Sequence, residues 1–330
     1  MRKYPTRQED TTVKTTTRST LGISAALATL LALGACSSEA QGDNAADTTA
    51  DSGDTISVTH AQGTTDVPVN PDTVYTFDLG VLDSLTSLGV DVAGVPDAVY
   101  PASLSQYASD DYAKVGSMKE PDLEAIANGD PDLIIISARL SESYEELSKI
   151  APTIDLTVDA TDPLPSFTEH TETLGKIFDK EDEVAGKLTG ITEQIDSIKA
   201  EAANAGNALI LMTSATEVTA YGAGSRFGLI HDVLGFPTAA DIASEGPHGE
   251  AVSFEFVKET NPDILYAIDR DAAFGESTDA SEAVLDNELV NSTNAAKNNK
   301  IINLDGGSWY LVGYGLNNLP AMIGEVAQAL

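Results

Sequence analysis

From residue 55 onwards, short apolar runs alternate along the chain with segments of helical periodicity. Apolar runs of this length, bounded by turn-forming residues, predict buried strands, and their alternation with helices favours an α/β fold with a mostly parallel sheet. The first two runs flank Ala61-Gln62-Gly63 and predict a hairpin of residues 55–60 and 65–69. The other predicted strands are 74–77, 92–95, 133–137, 153–156, 208–212, 218–221, 263–268 and 301–304, and the predicted helices are 79–88, 121–128, 141–150 and 227–234.

One helical pattern is longer than the others. Its apolar residues are separated by alternating steps of four and three, the helical period; they are Val184, Leu188, Ile191, Ile195, Ile198 and Ala202. A helix over residues 182–203 would be about 33 Å long at 1.5 Å per residue. The roughly 275 residues after position 54 exceed the usual size of a single core. We therefore predict two Rossmann-like lobes, residues 55–180 and 206–330, joined by a single linking helix at 181–205.

Residues 124–139 and 255–270 form an internal repeat without a gap. Each copy has Glu, then Pro-Asp, then an apolar strand pattern and finally Arg, at identical spacing. The matched residues are Glu124, Pro131, Asp132 and Arg139 in the first copy and Glu255, Pro262, Asp263 and Arg270 in the second. Such a repeat indicates one supersecondary unit used twice, in which Pro-Asp ends a helix and starts a strand. We expect one copy in each lobe.

The first 35 residues have the organisation of a signal peptide. A basic end precedes an uncharged apolar run over residues 21–33, which is shorter than the roughly 20 residues needed to span a bilayer. Cys36 follows directly and is the only cysteine, so no disulfide can form within the chain. The stretch resembles a bacterial lipobox, which implies that Cys36 is lipidated; the alternative is a buried free thiol. Residues 37–54 lack aromatic and large aliphatic side chains and predict a disordered tether.

The formal charge of the chain is −34, and removal of residues 1–35, which carry five basic and two acidic residues, lowers it to −37. Such a surface repels phosphate backbones, so nucleic acid is excluded as a partner. Only three arginines remain after the leader, namely Arg139, Arg226 and Arg270.

These three arginines follow predicted strands. Arg139 and Arg270 come directly after buried strands, at the sheet edge where open α/β sheets bind ligands. Arg226 lies in a glycine-rich turn after the predicted strand 218–221, and we expect it at the same kind of sheet edge. The pattern predicts a recessed cationic patch for an anionic ligand. The alternative is that each arginine pairs with a nearby carboxylate, such as Asp269 or Asp271.

Few other motifs carry chemistry. Gly222-x-Gly224 is a weak dinucleotide signal, and no Walker motif, GxSxG elbow or HExxH is present. His248 lies in a loop of turn formers, and Tyr310 lies in a glycine-rich loop after the predicted strand 301–304. A phenolate oxygen suits Fe(III) and imidazole is a common iron ligand, although loop residues of these types more often lie at the surface.

Eight segments together resemble a known family. They are FDLGVLDSLTSLGV, VGSMKEPDLEAI, PDLIIISAR, SYEELSKIAPT, AYGAGSRFGLIHD, HGEAVSFEFV, IDRDAA and WYLVGYGL. The chain from residue 74 to its end resembles the siderophore-binding lipoproteins among the class III periplasmic binding proteins, and most closely the branch that binds ferric catecholates and petrobactin. The resemblance implies two lobes joined by one long helix, with the ligand between them.

The resemblance also implies roles for individual residues. Arg139, Arg226 and Arg270 would hold the anionic catecholate oxygens, with Tyr221 and Trp309 lining the same site. His248 and Tyr310 would complete the coordination of iron in a tetradentate complex. Glu124 and Glu255 resemble lobe-tip carboxylates that dock on permease arginines, although a charge near a helix N-terminus is plausible independently. Val312 and Tyr314 interrupt the plainer glycine run of the family, which leaves the preferred siderophore open.

We therefore expect a substrate-binding lipoprotein of an ABC importer, monomeric, without catalytic activity or an intrinsic cofactor, and anchored to the outer face of the cell membrane. One alternative is a zinc or manganese receptor, which would need several inward histidines, whereas His60, His170 and His231 fall on a predicted hairpin, a polar helix and a helix interior. Another is a lipid-anchored hydrolase using His248 with Ser244 or Ser253, although no elbow presents a nucleophile.

Overall fold

The structure is a computed structural model that describes residues 54–242, 249–276 and 280–330. The predicted signal peptide, Cys36, the tether up to residue 53 and His248 lie outside the described residues.

The N-terminal half opens with an antiparallel hairpin and continues into a five-stranded parallel sheet in the order β5-β4-β3-β6-β7. Two 3₁₀ helices, Ala102–Ala108 and Ala138–Ser143, lie in its loops. The strands and helices are β1 (Thr55–His60), β2 (Gly63–Pro68), β3 (Val74–Thr76), α1 (Leu79–Ser87), β4 (Gly94–Val95), β5 (Ala113–Lys114), α2 (Leu123–Gly129), β6 (Leu133–Ile136), α3 (Tyr144–Leu147), β7 (Thr153–Asp155) and α4 (Pro163–Ile177).

The local sequence explains these elements. All four residues of β6 are fully buried, as expected for a strand covered on both faces. Helix α1 begins after Asp78, whose carboxylate accepts hydrogen bonds from the backbone N–H groups of Gly80 and Val81. The first sheet therefore buries two separate apolar clusters, and a capping carboxylate fixes the start of α1.

The predicted linking helix is confirmed as α5 (Glu181–Ala202). Its buried side chains, Val184, Ile191, Ile195, Ile198 and Ala202, follow the predicted apolar stripe. Three acidic residues in its first turn suit the positive end of the helix dipole. The helix packs against α4 and against the C-terminal helix of the chain. It thus separates the elements of the first sheet from those of the second.

The C-terminal half contains a second five-stranded sheet in the order β10-β9-β8-β11-β12. Here β8, β11 and β12 are parallel, whereas β9 runs antiparallel to both of its neighbours. Two π-helical turns, Leu229–Val233 and Gly307–Val312, lie in its loops, and a short 3₁₀ helix, Ala327–Ala329, ends the chain. The elements are β8 (Ala208–Ser214), β9 (Glu217–Tyr221), β10 (Glu250–Ala251), α6 (Phe254–Thr260), β11 (Ile264–Asp269), α7 (Arg270–Ala273), α8 (Ala280–Leu285), α9 (Glu288–Asn291), α10 (Asn294–Lys297), β12 (Ile301–Leu304) and α11 (Asn318–Val326).

The internal repeat folds identically in both sheets. Helices α2 and α6 each end at a residue in the left-handed conformation, Asp130 and Asn261, both with φ of 48°. The next aspartates accept backbone hydrogen bonds at the start of the neighbouring strand: Asp132 from Thr73 (2.8 Å) and Asp263 from Asn207 (3.2 Å). The prediction that Pro-Asp ends a helix and starts a strand in each copy is confirmed.

A buried contact joins α1 to the chain just before α11. The Asp83 carboxylate is 1% exposed and accepts hydrogen bonds from the backbone N–H groups of Asn317 (2.8 Å) and Asn318 (2.9 Å). A Cβ atom at Gly80 would lie only 2.3 Å from the carbonyl oxygen of Tyr314, so the two segments approach as closely as glycine permits. This contact holds the C-terminal segment against the first half of the molecule.

Two predicted helices differ from the structure. Residues 141–150 contain the end of a 3₁₀ helix and the four-residue α3 instead of one continuous helix. Residues 227–234 form a π-helical turn of five residues. Apart from these, the predicted α/β fold with two lobes and one long helix is confirmed. Among the described residues, no helix combines the length and the apolar character needed to cross a bilayer.

Candidate functional site

The three arginines converge on one residue, Tyr310. Arg139 and Arg226 each donate a hydrogen bond from Nη2 to the carbonyl oxygen of Tyr310, at 2.9 Å and 2.8 Å. Arg270 donates from Nε to the phenol oxygen of Tyr310 at 3.3 Å. Arg139 belongs to the first half of the chain and the other residues to the second, so the cluster bridges the two lobes. The predicted cationic patch is therefore formed, and Tyr310 lies at its centre.

The arginines differ in their acidic neighbours. Arg270 has a carboxylate partner, since its Nη1 lies 3.6 Å from Oδ1 of Asp271. Among the residues that the structure describes, neither Arg139 nor Arg226 forms such an ion pair. Burial, followed by the charge of Arg139, lowers the pKa of Arg226. Two guanidinium groups held together with no carboxylate partner in the described part of the chain favour an external anion.

The phenol of Tyr310 is surrounded by positive charge. The guanidinium carbons of Arg226 and Arg270 lie 4.5 Å and 5.5 Å from the centre of its ring. Burial raises the pKa of Tyr310, but the hydrogen bond from Arg270 and the charges of Arg226, Arg270 and Arg139 outweigh it, so the pKa is lowered overall. The surrounding guanidinium groups thus stabilise the phenolate form of Tyr310 relative to that of an ordinary tyrosine.

Tyr310 lies on the π-helical turn Gly307–Val312. The side-chain amide of Asn318 donates hydrogen bonds to the carbonyl oxygens of Ser308 (3.0 Å) and Gly313 (2.7 Å), which hold both ends of this turn. Gly313 has a φ of 67°, a conformation that other residues rarely adopt. The position of Tyr310 is therefore set by buried main-chain contacts.

Trp309 was expected to line the ligand site, but the structure places it in the core. Its side chain is 2% exposed, and its indole N–H donates to Oε2 of Glu325 at 2.8 Å. Successive residues of a helical turn point in different directions, so Trp309 faces inward where Tyr310 faces the arginines. In this conformation Trp309 supports the turn and does not reach a ligand.

Tyr221 is buried in the same way. It is 2% exposed, its ring packs edge-on against Phe227 with centres 4.6 Å apart, and its hydroxyl lies 3.9 Å from the sulfur of Met212. Burial raises its pKa. Direct ligand contact by Tyr221 is thus not available in this conformation, and its contacts with Phe227 and Met212 make it a packing residue.

Arg226 reaches the cluster by a route that differs from the prediction. Because β9 is antiparallel to β8, its carboxyl end does not lie at the same edge of the second sheet as those of β8 and β11. The loop that follows is folded back: Gly224 donates its N–H to Oδ2 of Asp232 (2.7 Å), and Ser225 donates to the carbonyl oxygen of Gly222 (2.6 Å). The strand-edge argument is wrong for Arg226, although the residue joins the patch.

Three residues around Arg270 were missed by sequence reasoning as members of the site. Ser214 accepts a hydrogen bond from Nη1 of Arg270 at 3.1 Å, and Asp271 was considered only as a competing ion partner. The Phe274 ring centre lies 5.3 Å from the Arg270 guanidinium carbon and 5.8 Å from the Tyr310 ring centre. The adjacency of Asp271 and Phe274 to Arg270 in sequence is the one signal that could have indicated them.

The remaining predicted site residues lie apart from the cluster. Glu124 and Glu255 are exposed in the first turns of α2 and α6, at equivalent positions of the repeat. His248 lies outside the described residues. Within the described ranges, no three His, Cys, Asp or Glu side chains are grouped so that they could hold a metal ion.

Comparison with known proteins places this geometry in a family. A family model described as periplasmic binding protein matches residues 74–306. The chain is 46% identical over 311 residues to the petrobactin-binding protein YclQ of Bacillus subtilis. This alignment covers 92% of this chain and 96% of YclQ. It is 31% identical over 277 residues to the ferric-anguibactin-binding protein FatB of Vibrio anguillarum, covering 82% and 86% of the two chains.

Solved structures of similar proteins have the same fold as this chain. The crystal structure of YclQ superimposes with a TM-score of 0.81 at 47% identity, covering 84% of this chain and 98% of that one. The catecholate-siderophore-binding protein VctP of Vibrio cholerae superimposes with a TM-score of 0.78 at 34% identity, covering 83% of this chain and all of VctP. Sequence, sheet topology and linking helix together show that this chain belongs to the periplasmic binding protein family, with the class III fold.

Proposed function

We propose that this protein is the extracytoplasmic solute-binding protein of an ABC importer, which captures a ferric siderophore between its lobes and delivers it to the permease. The observation that carries the proposal is the convergence of Arg139, Arg226 and Arg270 on Tyr310. The relatives YclQ, FatB and VctP bind petrobactin, ferric anguibactin and a catecholate siderophore, which supports the same class of ligand.

The ligand class follows from charge. A protein with a formal charge of −34 repels anions unless the binding site is locally positive. Ferric catecholates carry net negative charge on oxygens that accept hydrogen bonds from guanidinium groups, whereas ferric hydroxamates are often neutral. Arg139 and Arg226, which share a carbonyl acceptor and lack a carboxylate partner among the described residues, provide this local charge. A ferric catecholate is therefore the ligand we propose.

Tyr310 provides more than charge recognition. Its phenol oxygen faces Arg270 and its pKa is lowered, which suits an oxygen that coordinates iron. We propose that Tyr310, together with His248, completes the coordination of iron when the siderophore supplies four donor atoms. Iron here belongs to the transported ligand, and we propose no intrinsic cofactor and no catalytic step.

The cellular context is part of the same proposal. Lipidated Cys36 would anchor the protein to the outer face of the membrane through the tether, and the protein would act as a monomer. Exposed Glu124 and Glu255, at equivalent helix N-termini of the two lobes, would dock on the permease. The acidic surface leaves no role for nucleic acid.

A fluorescence-quenching titration tests the proposal. Trp309 is the only tryptophan and immediately precedes Tyr310, so its emission reports on this site. We expect saturable quenching by ferric catecholates and much weaker quenching by ferric hydroxamates. A surface-charge variant, Lys176→Ala, serves as a control for non-specific electrostatics. Binding of no ferric siderophore, or equal affinity for neutral hydroxamate complexes, would contradict the proposed ligand class.

A further inference from the structure

Arg270 differs from the other two arginines in what it contacts. Arg139 and Arg226 donate to the main-chain carbonyl of Tyr310, whereas Arg270 donates to the phenol oxygen. Arg270 also has a carboxylate neighbour, Asp271, whose charge offsets part of its own. The three cations are therefore not equivalent, although their sequence context predicts one role for all three.

The guanidinium of Arg270 is held along one edge. Ser214 accepts a hydrogen bond from Nη1 of Arg270 (3.1 Å), and its hydroxyl lies 3.2 Å from Oδ1 of Asp271, to which it donates. The other Asp271 oxygen accepts the backbone N–H of Ala215 at 2.5 Å. The turn after β8 thus fixes Asp271, and Asp271 and Ser214 together fix Nη1 of Arg270.

The opposite edge of the same guanidinium faces Tyr310. With Nη1 held by Ser214 and Asp271, Nε is directed at the phenol oxygen. Phe274 limits sideways movement, because its ring lies near both the guanidinium carbon (5.3 Å) and the ring of Tyr310 (5.8 Å). A planar guanidinium with fixed donors suits this task better than a flexible ammonium.

We propose that the three arginines have different functions. Arg139 and Arg226 bind the anionic oxygens of the ligand, whereas Arg270, held by Ser214 and Asp271, is a positioning residue that orients the phenol oxygen of Tyr310 towards the bound iron. This inference rests on the proposed function. It predicts that Arg270 matters for ligands that leave coordination sites open on the iron.

Two ferric complexes of different denticity test the proposal. A bis-catecholate supplies four donors and leaves two places for protein ligands, whereas a tris-catecholate leaves none. The variants are Ser214→Ala, Arg270→Lys, which keeps the charge and removes the Nε donor, and Arg226→Lys. Ser197→Ala, an exposed serine on α5, is the matched control. Affinity and the visible charge-transfer absorption are measured for each variant with each of the two ferric complexes.

We expect Ser214→Ala and Arg270→Lys to weaken the bis-catecholate complex about tenfold, the effect of one lost hydrogen bond to a charged group, and to shift its absorption. Both variants should bind the tris-catecholate within about threefold of wild type. Arg226→Lys should weaken both complexes alike. Equal weakening of both complexes by Arg270→Lys, or wild-type behaviour of Ser214→Ala with the bis-catecholate, would overturn the assignment.

A second measurement needs no siderophore. In a ¹⁵N spectrum of the arginine Nε–H groups of the full chain, assigned by Arg→Lys variants, the Arg270 signal should exchange faster with water in Ser214→Ala. The signals of Arg139 and Arg226 should not change. An unchanged Arg270 signal would show that Ser214 does not hold it. Failure of wild type to bind either ferric complex would instead refute the proposed function itself.

Discussion

The two copies of the internal repeat share one fold and differ at one end. In both, a capped helix ends at a left-handed residue, and Pro-Asp starts a buried strand that an arginine follows. After β6 the chain enters a 3₁₀ helix, and Arg139 extends to the main chain of Tyr310 in the other half. After β11 it enters α7, and Arg270 is paired with the next residue, Asp271. The repeat thus provides equal scaffolds on which the terminal arginines acquire different partners.

Substitutions of the terminal arginines of the two repeat copies should give the largest difference, which we expect in ligand affinity. Arg139→Ala should weaken ferric catecholates by about 1.5–3 kcal/mol, roughly 10- to 150-fold, irrespective of ligand denticity, because it removes a charge that no described carboxylate offsets. Arg270→Ala should cause an equally large loss of affinity only for a tetradentate ligand. Calorimetric titration of both variants measures the difference.

Lys176→Ala is the control for that comparison, because it removes a cation from α4 outside the cluster. Equal losses for Arg139→Ala and Arg270→Ala with a hexadentate ligand would show that the two copies of the repeat bind the anion symmetrically.

Sequence patterns predicted what local periodicity and spacing determine. The stripe from Val184 to Ala202 predicted α5 within one residue at either end, and the Glu-Pro-Asp-Arg spacing predicted the repeated unit. The family resemblance added Tyr310, for which residue type alone was a weak signal. The structure brings Tyr310 together with all three arginines.

The same patterns failed where the outcome depends on tertiary contacts. The direction of β9 is not encoded in its apolar run, so the strand-edge argument for Arg226 was wrong. Tyr221 and Trp309 were expected to line the ligand site, yet both side chains are buried. An aromatic residue beside a loop can face either side of the turn, and only packing partners such as Phe227 and Glu325 decide which.

The equivalent aspartates of the two repeat copies, Asp132 and Asp263, should give the next largest difference, which we expect in the stability of the fold. Asp132→Ala should destabilise the fold by about 1–3 kcal/mol, since it leaves the part-buried N–H group of Thr73 without its acceptor. Asp263→Ala should cost more, because Asp263 also accepts from the amide of Asn294 at 3.0 Å. Urea unfolding checks both. Asn at either position keeps a hydrogen-bond acceptor, so Asp→Asn should recover part of the lost stability. Greater destabilisation by Asp132→Ala than by Asp263→Ala would contradict the expected difference between the two copies.

The left-handed caps should respond weakly and unequally. Asp130→Gly removes the strain of a side chain at φ of 48° and should stabilise the protein by less than about 1 kcal/mol. Asn261→Gly relieves the same strain but removes the hydrogen bond that Asn261 Oδ1 accepts from the backbone N–H of Asn294 (2.9 Å), so it should stabilise the protein less than Asp130→Gly or destabilise it. Thermal unfolding measures the pair, and a larger stabilisation by Asn261→Gly would contradict this difference.

The helix-tip glutamates should have the smallest effect on ligand affinity. Glu124 and Glu255 are exposed in the first turns of α2 and α6, and neither contacts the arginine cluster through any hydrogen bond or ion pair among the described residues. Glu124→Ala, Glu255→Ala and the double variant should therefore bind a ferric catecholate as wild type does. If the glutamates dock on the permease, uptake by cells should fall for each single variant and fall further for the double variant. Glu145→Ala, which removes an exposed carboxylate from the first turn of α3, is the matched control and should leave uptake unchanged. Reduced ligand affinity in solution would show that the glutamates act on the cleft, and unchanged uptake in the double variant would remove them from the docking surface.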